Sequence, residues 1–266
     1  MLSDRERDDL AGVLLRAYES KEPVAPLAEQ SPGFTAADAY PVQLVQVGLW
    51  QRQGRRVRGH KVGLTSAAMQ RMLGVDRPDY GHLLDDMFLP EEADVAVDRF
   101  LAPRVEPEIA LVLGRPLEGP GVTVADAIAA VSFVLPAIEI IDSRIRDWKI
   151  GWADTVADNA SSGAVVLGST PRSPTAVDLR LLGCNLFVNG QLVVTGAGGA
   201  ALGSPVVALA WLANTLGSTG ARLEEGEVVL PGSCTPAVPV ARGAVVSAEF
   251  AEIGVVGVRF GSDGTS

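Results

Sequence analysis

The apolar positions of the first 60 residues have the spacing that is typical of helices. Between Ser3 and Ser20 they recur three or four positions apart, which predicts an amphipathic helix. After three prolines, Thr35 is placed to cap a second helix, which is expected to end before Gly54. The segment 1–60 is therefore predicted to be helical.

Beyond this segment the pattern changes to short apolar runs separated by turn residues, which is typical of strands. The predicted strands are 57–64, 101–113, 131–141, 164–167, 181–188, 191–194, 227–230 and 245–260. Helices are expected from Thr65 or Ser66 to Met72, at 124–130 and at 205–216. The fold class is therefore predicted to be α+β, with a helical segment at 1–60 and a mixed, β-rich catalytic core at 61–266.

Composition narrows the possible functions. A chain of 266 residues, 47% of them apolar, can bury a sizeable core, and its net charge of −10 disfavours a nucleic-acid partner. Two cysteines are too few for a disulfide framework. We find neither a secretory signal nor a window of about 18 uncharged apolar residues, so we expect a soluble, cytoplasmic protein with no membrane partner.

Two glutamates stand two positions apart in the predicted strand 101–113. Side chains alternate between the faces of a strand, so Glu106 and Glu108 project to the same face. Two such carboxylates repel each other unless a cation lies between them or one of them is protonated. The other interpretation is that they form the exposed face of an edge strand, which Pro107 would mark.

A third acidic residue, Glu139, lies among isoleucines in the predicted strand 131–141. Burying a carboxylate there without a partner would be costly. Together with the pair above it would form an oxygen site without His or Cys, which favours Mg²⁺ or Mn²⁺ over Zn²⁺. The alternative is an ion pair between Glu139 and an arginine such as Arg104 or Arg144. The pattern alone leaves both interpretations open.

Four further features carry groups that could do chemistry. Lys61 lies in an apolar strand-to-turn passage, where it could transfer protons near a dication or extend to solvent. Asp79 falls in a turn-rich stretch, where an aspartate most often caps or turns the chain. The small residues of 232–235 could bind an anion, and the polar loop 158–163 could bind a carboxylate or make a turn.

Several of these segments together match a known family. They are His60-Lys-Val-Gly-Leu-Thr, 74–85, Pro103-Arg-Val-Glu-Pro-Glu108, 138–148, 154–163 and 230–235. With these motifs, spread from about residue 38 to 260, the sequence resembles the 2-hydroxypentadienoate (2-oxopent-4-enoate) hydratases of meta-cleavage pathways. These enzymes belong to the fumarylacetoacetate hydrolase superfamily, so the resemblance implies a β-rich core of that type.

The resemblance also implies roles for particular residues. The implied metal ligands are Glu106, Glu108 and Glu139, and the implied acid/base pair is Lys61 and Asp79. The residues implied around the substrate carboxylate and ketone are Leu64, Ser161 and Thr235. Which member of the acid/base pair performs which step is not decided by the resemblance.

The implied activity is the hydration of 2-hydroxypenta-2,4-dienoate to 4-hydroxy-2-oxopentanoate, in the degradation of aromatic compounds or steroids. The resemblance further implies a homo-oligomer, with a decamer as one form, and association with another enzyme of the pathway. Three alternatives stay open. They are the sister 2-oxo-hex-3-enedioate (4-oxalocrotonate) decarboxylase, a hydratase of longer or dicarboxylic dienoates, and a non-catalytic partner subunit.

Overall fold

The structure of the chain is a computed structural model that describes residues 1–67, 70–71 and 74–261. Apart from the helical residues 67, 70 and 71 and short 3-10 turns, the helices of the described residues are α1 (Asp4–Ser20), α2 (Leu27–Gln30), α3 (Ala36–Arg52), α4 (Val124–Ala130), α5 (Trp152–Ala157) and α6 (Pro205–Gly217). The strands are β1 (Val57–Gly63), β2 (Asp79–Leu84), β3 (Phe88–Leu89), β4 (Asp94–Ala96), β5 (Arg104–Leu113), β6 (Val131–Ile141), β7 (Ser162–Leu167), β8 (Gly183–Val188), β9 (Gln191–Ala197), β10 (Val228–Leu230), β11 (Val238–Pro239), β12 (Val245–Phe250) and β13 (Gly254–Gly261). This composition confirms the predicted α+β class.

The two long N-terminal helices begin where their capping residues stand. Ser3 and Glu6 form a capping box at the start of α1, and Thr35 and Asp38 form one at the start of α3. The fully buried Asp38 carboxylate also accepts the Leu2 N–H at 2.8 Å, which ties the two helix starts together. Both helices were predicted, whereas the division between segment 1–60 and core 61–266 stays a prediction.

The larger sheet has the strand order β2-β1-β10-β5-β6-β7-β3, with β11 also paired to β5. β1 and β10 are parallel, and β10, β5, β6 and β7 are antiparallel to one another in turn. Strand β5 therefore lies inside the sheet, with a neighbour on each side. The interpretation of Glu106 and Glu108 as the face of an edge strand is wrong.

The smaller sheet has the order β4-β13-β12-β8-β9, and its strands β12 and β13 pack against β6. The single strand predicted at 245–260 is wrong, because the chain turns at 251–253 and returns as β13. Glu252 and Gly254 adopt positive φ of 66° and 106° there. Neither an Asn-Gly pair nor a proline occurs at this turn, and the residues on both sides of it are largely apolar. The sequence pattern therefore did not indicate a turn.

Two predicted features fall between residues 65 and 85. The stretch around Asp79 was predicted to be turns, but Asp79 begins the fully buried strand β2, which pairs with β1. The helix predicted from Thr65 or Ser66 to Met72 falls partly on residues 68, 69, 72 and 73, which lie outside the described residues. Residues 67, 70 and 71 are helical.

The window Gly198–Gly217 has 20 residues and a mean hydropathy of 1.4, so the expectation that no window is long and apolar enough for a membrane span was wrong. Only its second part forms helix α6, whose 13 residues extend for about 20 Å. More than half of the window is buried inside the protein, and α6 packs against α4. Its apolar character is thus that of a core helix.

Candidate active site

The three predicted glutamates come together on one face of the larger sheet. Glu106 on β5 stands directly opposite Glu139 on β6, and Glu108 lies two positions further along β5. One carboxylate oxygen from each residue lies within 4.8 Å of the other two. Glu108 and Glu139 are buried and Glu106 is partly exposed, so the cluster opens to solvent at Glu106.

Hydrogen bonds relieve the charge repulsion within this glutamate cluster only in part, at Glu108. Burial, followed by the charge of Glu139, raises the pKa of Glu106 to about 7, and the same two causes raise the pKa of Glu108. Within the described part of the chain, neither carboxylate oxygen of Glu139 has a hydrogen bond of good geometry. Three hard oxygen donors with unsatisfied lone pairs facing one another fit a divalent cation.

Glu108 is held in place by a backbone group. The Gly232 N–H donates a hydrogen bond of 2.8 Å to Glu108 Oε2. Gly232 has a φ of 120°, and a Cβ at this position would overlap the Thr65 hydroxyl, so only glycine fits. Segment 232–235 was predicted to donate hydrogen bonds to an anion. One of its donors, the Gly232 N–H, instead binds the Glu108 carboxylate of the protein itself.

Lys61 lies on β1, where its ammonium group points toward the glutamate cluster. Its Nζ donates to the Ala160 carbonyl at 2.8 Å and lies 3.4 Å from Glu139 Oε1. The residue is 4% exposed, so the alternative of a lysine that extends to solvent is wrong. Burial alone would lower its pKa, but the charge of Glu139 and those of neighbouring carboxylates outweigh burial and raise it.

Asp79 is the cross-strand partner of Gly63, on the strand next to Lys61. It is 1% exposed, and burial raises the pKa of its carboxyl above the ordinary value. A Cβ at Gly63 would overlap Asp79 Oδ1 and would lie 3.4 Å from Lys61 Nζ. Because Gly63 has no side chain, the space between the Asp79 carboxylate and the Lys61 ammonium group stays open. The sequence analysis did not predict this feature.

The three residues implied around the substrate lie in loops that border these groups. Leu64 directly follows Gly63 and has a φ of 54°. Ser161 is buried next to Ala160, and its Oγ is 3.4 Å from the Thr155 hydroxyl. Thr235 is 8% exposed and follows Cys234, whose N–H donates to the carbonyl of Pro107 between the two β5 glutamates.

Neither arginine proposed as an alternative partner of Glu139 forms an ion pair with it in the described part of the chain. Arg144 Nε donates to Asp158 Oδ1 at 2.6 Å. The guanidinium of Arg104 lies over the Trp148 ring, 4.4 Å from its centroid. The ion-pair interpretation of Glu139 with an arginine is therefore wrong, and its cationic neighbour is a lysine.

Both histidines of the chain lie on neighbouring strands behind the site. His60 and His82 are cross-strand partners, and their sequence neighbours Lys61 and Gly81 point to the opposite face. His82 Nδ1 is 2.9 Å from Gln43 Oε1, and burial, with the charge of His60, lowers its pKa to about 3. A neutral, buried His82 serves the packing of α3 on the sheet.

Comparison with known proteins extends over nearly the whole chain. Residues 61–260 match the family model described as fumarylacetoacetate (FAA) hydrolase C-terminal. A 2-keto-4-pentenoate hydratase of Paraburkholderia xenovorans (strain LB400) is 43% identical over 262 residues, which are 98% of this chain and 97% of that one. A 2-oxo-hept-4-ene-1,7-dioate hydratase of Escherichia coli is 39% identical over 94% of this chain and 96% of its own length.

Solved structures show the same similarity. The 4-oxalocrotonate decarboxylase from Pseudomonas putida G7, complexed with magnesium and adipate, superposes with a TM-score of 0.95 at 36% identity, over 98% of this chain and 99% of that chain. A fumarylpyruvate hydrolase from Pseudomonas aeruginosa, in complex with Mn²⁺ and pyruvate, has a TM-score of 0.64 at 17% identity over 77% of this chain, which shows a shared fold alone.

Proposed function

The chain belongs to the fumarylacetoacetate hydrolase family, and from that premise we propose that it is a hydro-lyase of meta-cleavage degradation. The proposed reaction adds water to 2-hydroxypenta-2,4-dienoate (2-oxopent-4-enoate) and gives 4-hydroxy-2-oxopentanoate. The observation that carries this proposal is the buried cluster of Glu106, Glu108 and Glu139 beside Lys61 and Asp79. Support for this substrate class comes from the 43% identical 2-keto-4-pentenoate hydratase.

Under this proposal Glu106, Glu108 and Glu139 hold a divalent cation, Mg²⁺ or Mn²⁺. Carboxylate oxygens without nitrogen or sulfur ligands favour such hard cations, and magnesium and Mn²⁺ accompany the two structural neighbours. When bound, the cation would polarise the 2-oxo group of the substrate and offset the negative charge of the glutamates. The glutamates would hold the cation at a fixed place, because their strands β5 and β6 each have a neighbouring strand on both sides in the larger sheet.

Lys61 and Asp79 would transfer the protons of the water addition. The proton of the 2-hydroxyl group first moves to C5, which converts the dienoate to the conjugated 2-oxopent-3-enoate with an electrophilic C4. Lys61 Nζ is held by the Ala160 carbonyl and lies beside the space that Gly63 leaves open, so its ammonium group can give a proton to substrate C3. The raised pKa of Asp79 makes its carboxylate a better base, so it can take a proton from the water whose oxygen bonds to C4. Return of that proton from Asp79 to Lys61, across the space beside Gly63, restores both groups and leaves one added water.

Leu64, Ser161 and Thr235 would bind the substrate around its carboxylate and ketone. The Ser161 and Thr235 side chains carry hydroxyl groups in loops next to Lys61 and to the glutamate strand. Hydroxyl and backbone donors at loop ends are common partners of small carboxylates. Removing either hydroxyl is expected to raise KM more than it lowers kcat.

A decarboxylase of 2-oxo-hex-3-enedioate is the second candidate. It is favoured by the TM-score of 0.95 to the 4-oxalocrotonate decarboxylase, which binds the dicarboxylate adipate. The identity is lower, 36% against 43% for the hydratase. We therefore place the hydratase first.

The test starts from metal-stripped protein and 2-hydroxypenta-2,4-dienoate made in situ. Loss of the dienol absorbance that requires added Mg²⁺ and yields 4-hydroxy-2-oxopentanoate would support the hydratase. Loss no faster than uncatalysed ketonisation would refute it. The same protein is then given 2-oxo-hex-3-enedioate, and release of carbon dioxide at a higher kcat/KM would favour the decarboxylase.

We also propose a cytoplasmic homo-oligomer, with a decamer as one form, that can associate with another enzyme of the pathway. Support comes from apolar side chains that the single chain leaves exposed. Leu192 and Val193 on the edge strand β9 are 54% and 45% exposed, and Leu181 nearby in sequence is 75% exposed. Light scattering after size exclusion measures the oligomer, and a monomer at micromolar concentration would contradict this proposal.

A further inference from the structure

Three consecutive residues of the loop before β7 have left-handed backbone conformations. Asn159, Ala160 and Ser161 have φ of 50°, 51° and 54°, although none of them is glycine. Each such residue costs of the order of 1 kcal/mol, so a run of three persists only if its surroundings fix it. Neighbouring side chains must therefore hold this loop in place.

The fully buried Arg144 donates hydrogen bonds to the residues at both ends of the loop. Arg144 Nε and its backbone N–H donate to the Asp158 carboxylate at 2.6 and 3.0 Å. Its Nη2 donates to the Asp158 carbonyl at 3.0 Å, and its Nη1 donates to the Ser162 carbonyl at 3.3 Å. Asp158 and Ser162 flank the three left-handed residues, so one guanidinium group sets the distance between the two ends.

A second clamp fixes the start of the loop to strand β2. The Asn159 amide accepts the His82 N–H at 2.8 Å and donates to the His82 carbonyl at 2.9 Å. A Cβ at the neighbouring Gly81 would overlap the Asn159 carbonyl, so the strand and the loop touch backbone to backbone. The loop is thus held from two independent directions.

The group of this fixed loop that contacts Lys61 is the Ala160 carbonyl. It accepts the hydrogen bond from Lys61 Nζ at 2.8 Å, whereas Glu139 lies further away at 3.4 Å. A carbonyl at a fixed point orients the ammonium group toward the space that Gly63 leaves open. We propose that Asp158, Arg144 and Asn159 are positioning residues that act on Lys61 through this carbonyl. This inference rests on the proton-transfer role proposed above for Lys61.

The test uses Asp158→Asn, which keeps the shape of the side chain and weakens its hold on Arg144. The chain has three lysines, so partial labelling with an amine reagent and peptide mass spectrometry can follow Lys61 against the exposed Lys149. We expect the labelling ratio of Lys61 to Lys149 to rise at least fivefold. We also expect kcat to fall by about 100-fold, the cost of a misplacement of about 1 Å, and KM to rise because Ser161 lies in the same loop, with the Mg²⁺ half-saturation concentration within twofold of wild type.

Asp38→Asn is the matched control, because Asp38 is an equally buried carboxylate whose partners are Arg7 and the Leu2 N–H rather than residues of the Asn159–Ser161 loop. It should lower the melting temperature and leave both the labelling ratio and kcat unchanged. Unchanged labelling in Asp158→Asn would overturn the proposal. So would equal losses of kcat in both variants at equal loss of stability, since that is the result of a merely structural role.

Asn159→Asp provides a milder variant if Asp158→Asn does not fold. It keeps the acceptor for the His82 N–H and removes the donor to the His82 carbonyl, and it should raise Lys61 labelling at least twofold. The labelling ratio does not depend on turnover of any substrate. If the wild-type protein proves inactive as a hydratase, the ratio still decides whether the loop positions Lys61.

Discussion

Charge repulsion inside the glutamate cluster predicts that Glu106→Gln stabilises the metal-free protein. The three ligand oxygens lie within 4.8 Å of one another, and two unit charges at that distance repel by about 3.5 kcal/mol at an effective dielectric constant of about 20. Glu106 is partly exposed and Lys61 offsets the charge of Glu139, so we expect a gain of about 2 kcal/mol. With an unfolding entropy of roughly 2.1 cal/mol/K per residue, the melting temperature should rise by about 4 °C.

The raised pKa of Glu106 sets the pH dependence of this gain. The pKa of Glu106 is about 7 in the folded protein and 4.5 in its ordinary state. Between these values the folded state binds more protons than the unfolded state, so metal-free stability falls as pH rises from about 4.5 to 7. The gain from Glu106→Gln should therefore be nearly complete above pH 7 and fall to about a quarter of that value at pH 5.

Calorimetry of protein stripped with a chelator measures both effects, at pH 8 and at pH 5. Added Mg²⁺ at about 100 times its Kd should raise the melting temperature of the wild type by about 5 °C, and that of the variant by much less. Glu225→Gln, at an exposed turn residue, is the control and should change neither value. A lower melting temperature of metal-free Glu106→Gln at pH 8, or an undiminished response to Mg²⁺, would refute the reasoning.

Three further predictions follow from the same site. Gly63→Ala should lower kcat at least 100-fold while the Mg²⁺ effect on melting persists, because its Cβ would overlap Asp79 Oδ1; near-normal turnover would contradict this. Gly232→Ala should raise the Mg²⁺ half-saturation concentration at least tenfold in activity assays, because its Cβ would overlap the Thr65 hydroxyl at a φ of 120° and displace the N–H that donates to Glu108. The pKa of His82 is about 3 when folded, so its contribution to stability is complete above pH 6.5 and is lost as pH falls toward 3. Denaturant titrations should show that His82→Gln loses about 2 kcal/mol less than the wild type between pH 7 and pH 5; equal losses would argue against a neutral His82.

The sequence was sufficient to predict those parts of the site that depend on local pattern. Strand periodicity placed Glu106 and Glu108 on one face, and the structure has them so. It could not pair Glu106 with Glu139, because the register between β5 and β6 is set by packing of residues far apart in sequence. Only the unusual cost of burying Glu139 indicated that it needed a partner.

What the sequence analysis missed consists largely of backbone groups. The Gly232 N–H and the Ala160 carbonyl have no signature in side-chain type, since every residue except proline carries the same two groups. Gly63 matters for the side chain that it lacks, which no periodicity can show. Strand β2 was missed because its Gly and His residues resemble those of a turn, although β1 pairs with all of it.

The position of β10 in the larger sheet has a consequence for how the protein is made. This strand comes from the C-terminal part of the chain, yet it lies between β1, which carries Lys61, and β5, which carries two glutamates. During synthesis, β1 and β5 leave the ribosome long before β10 can join them. Such long-range pairing is slow, and edges that wait for a partner are prone to aggregate. A chain that ends before residue 228 lacks the strand that joins β1 to β5, so Lys61 and the two β5 glutamates take their places in one sheet only after translation has passed this strand.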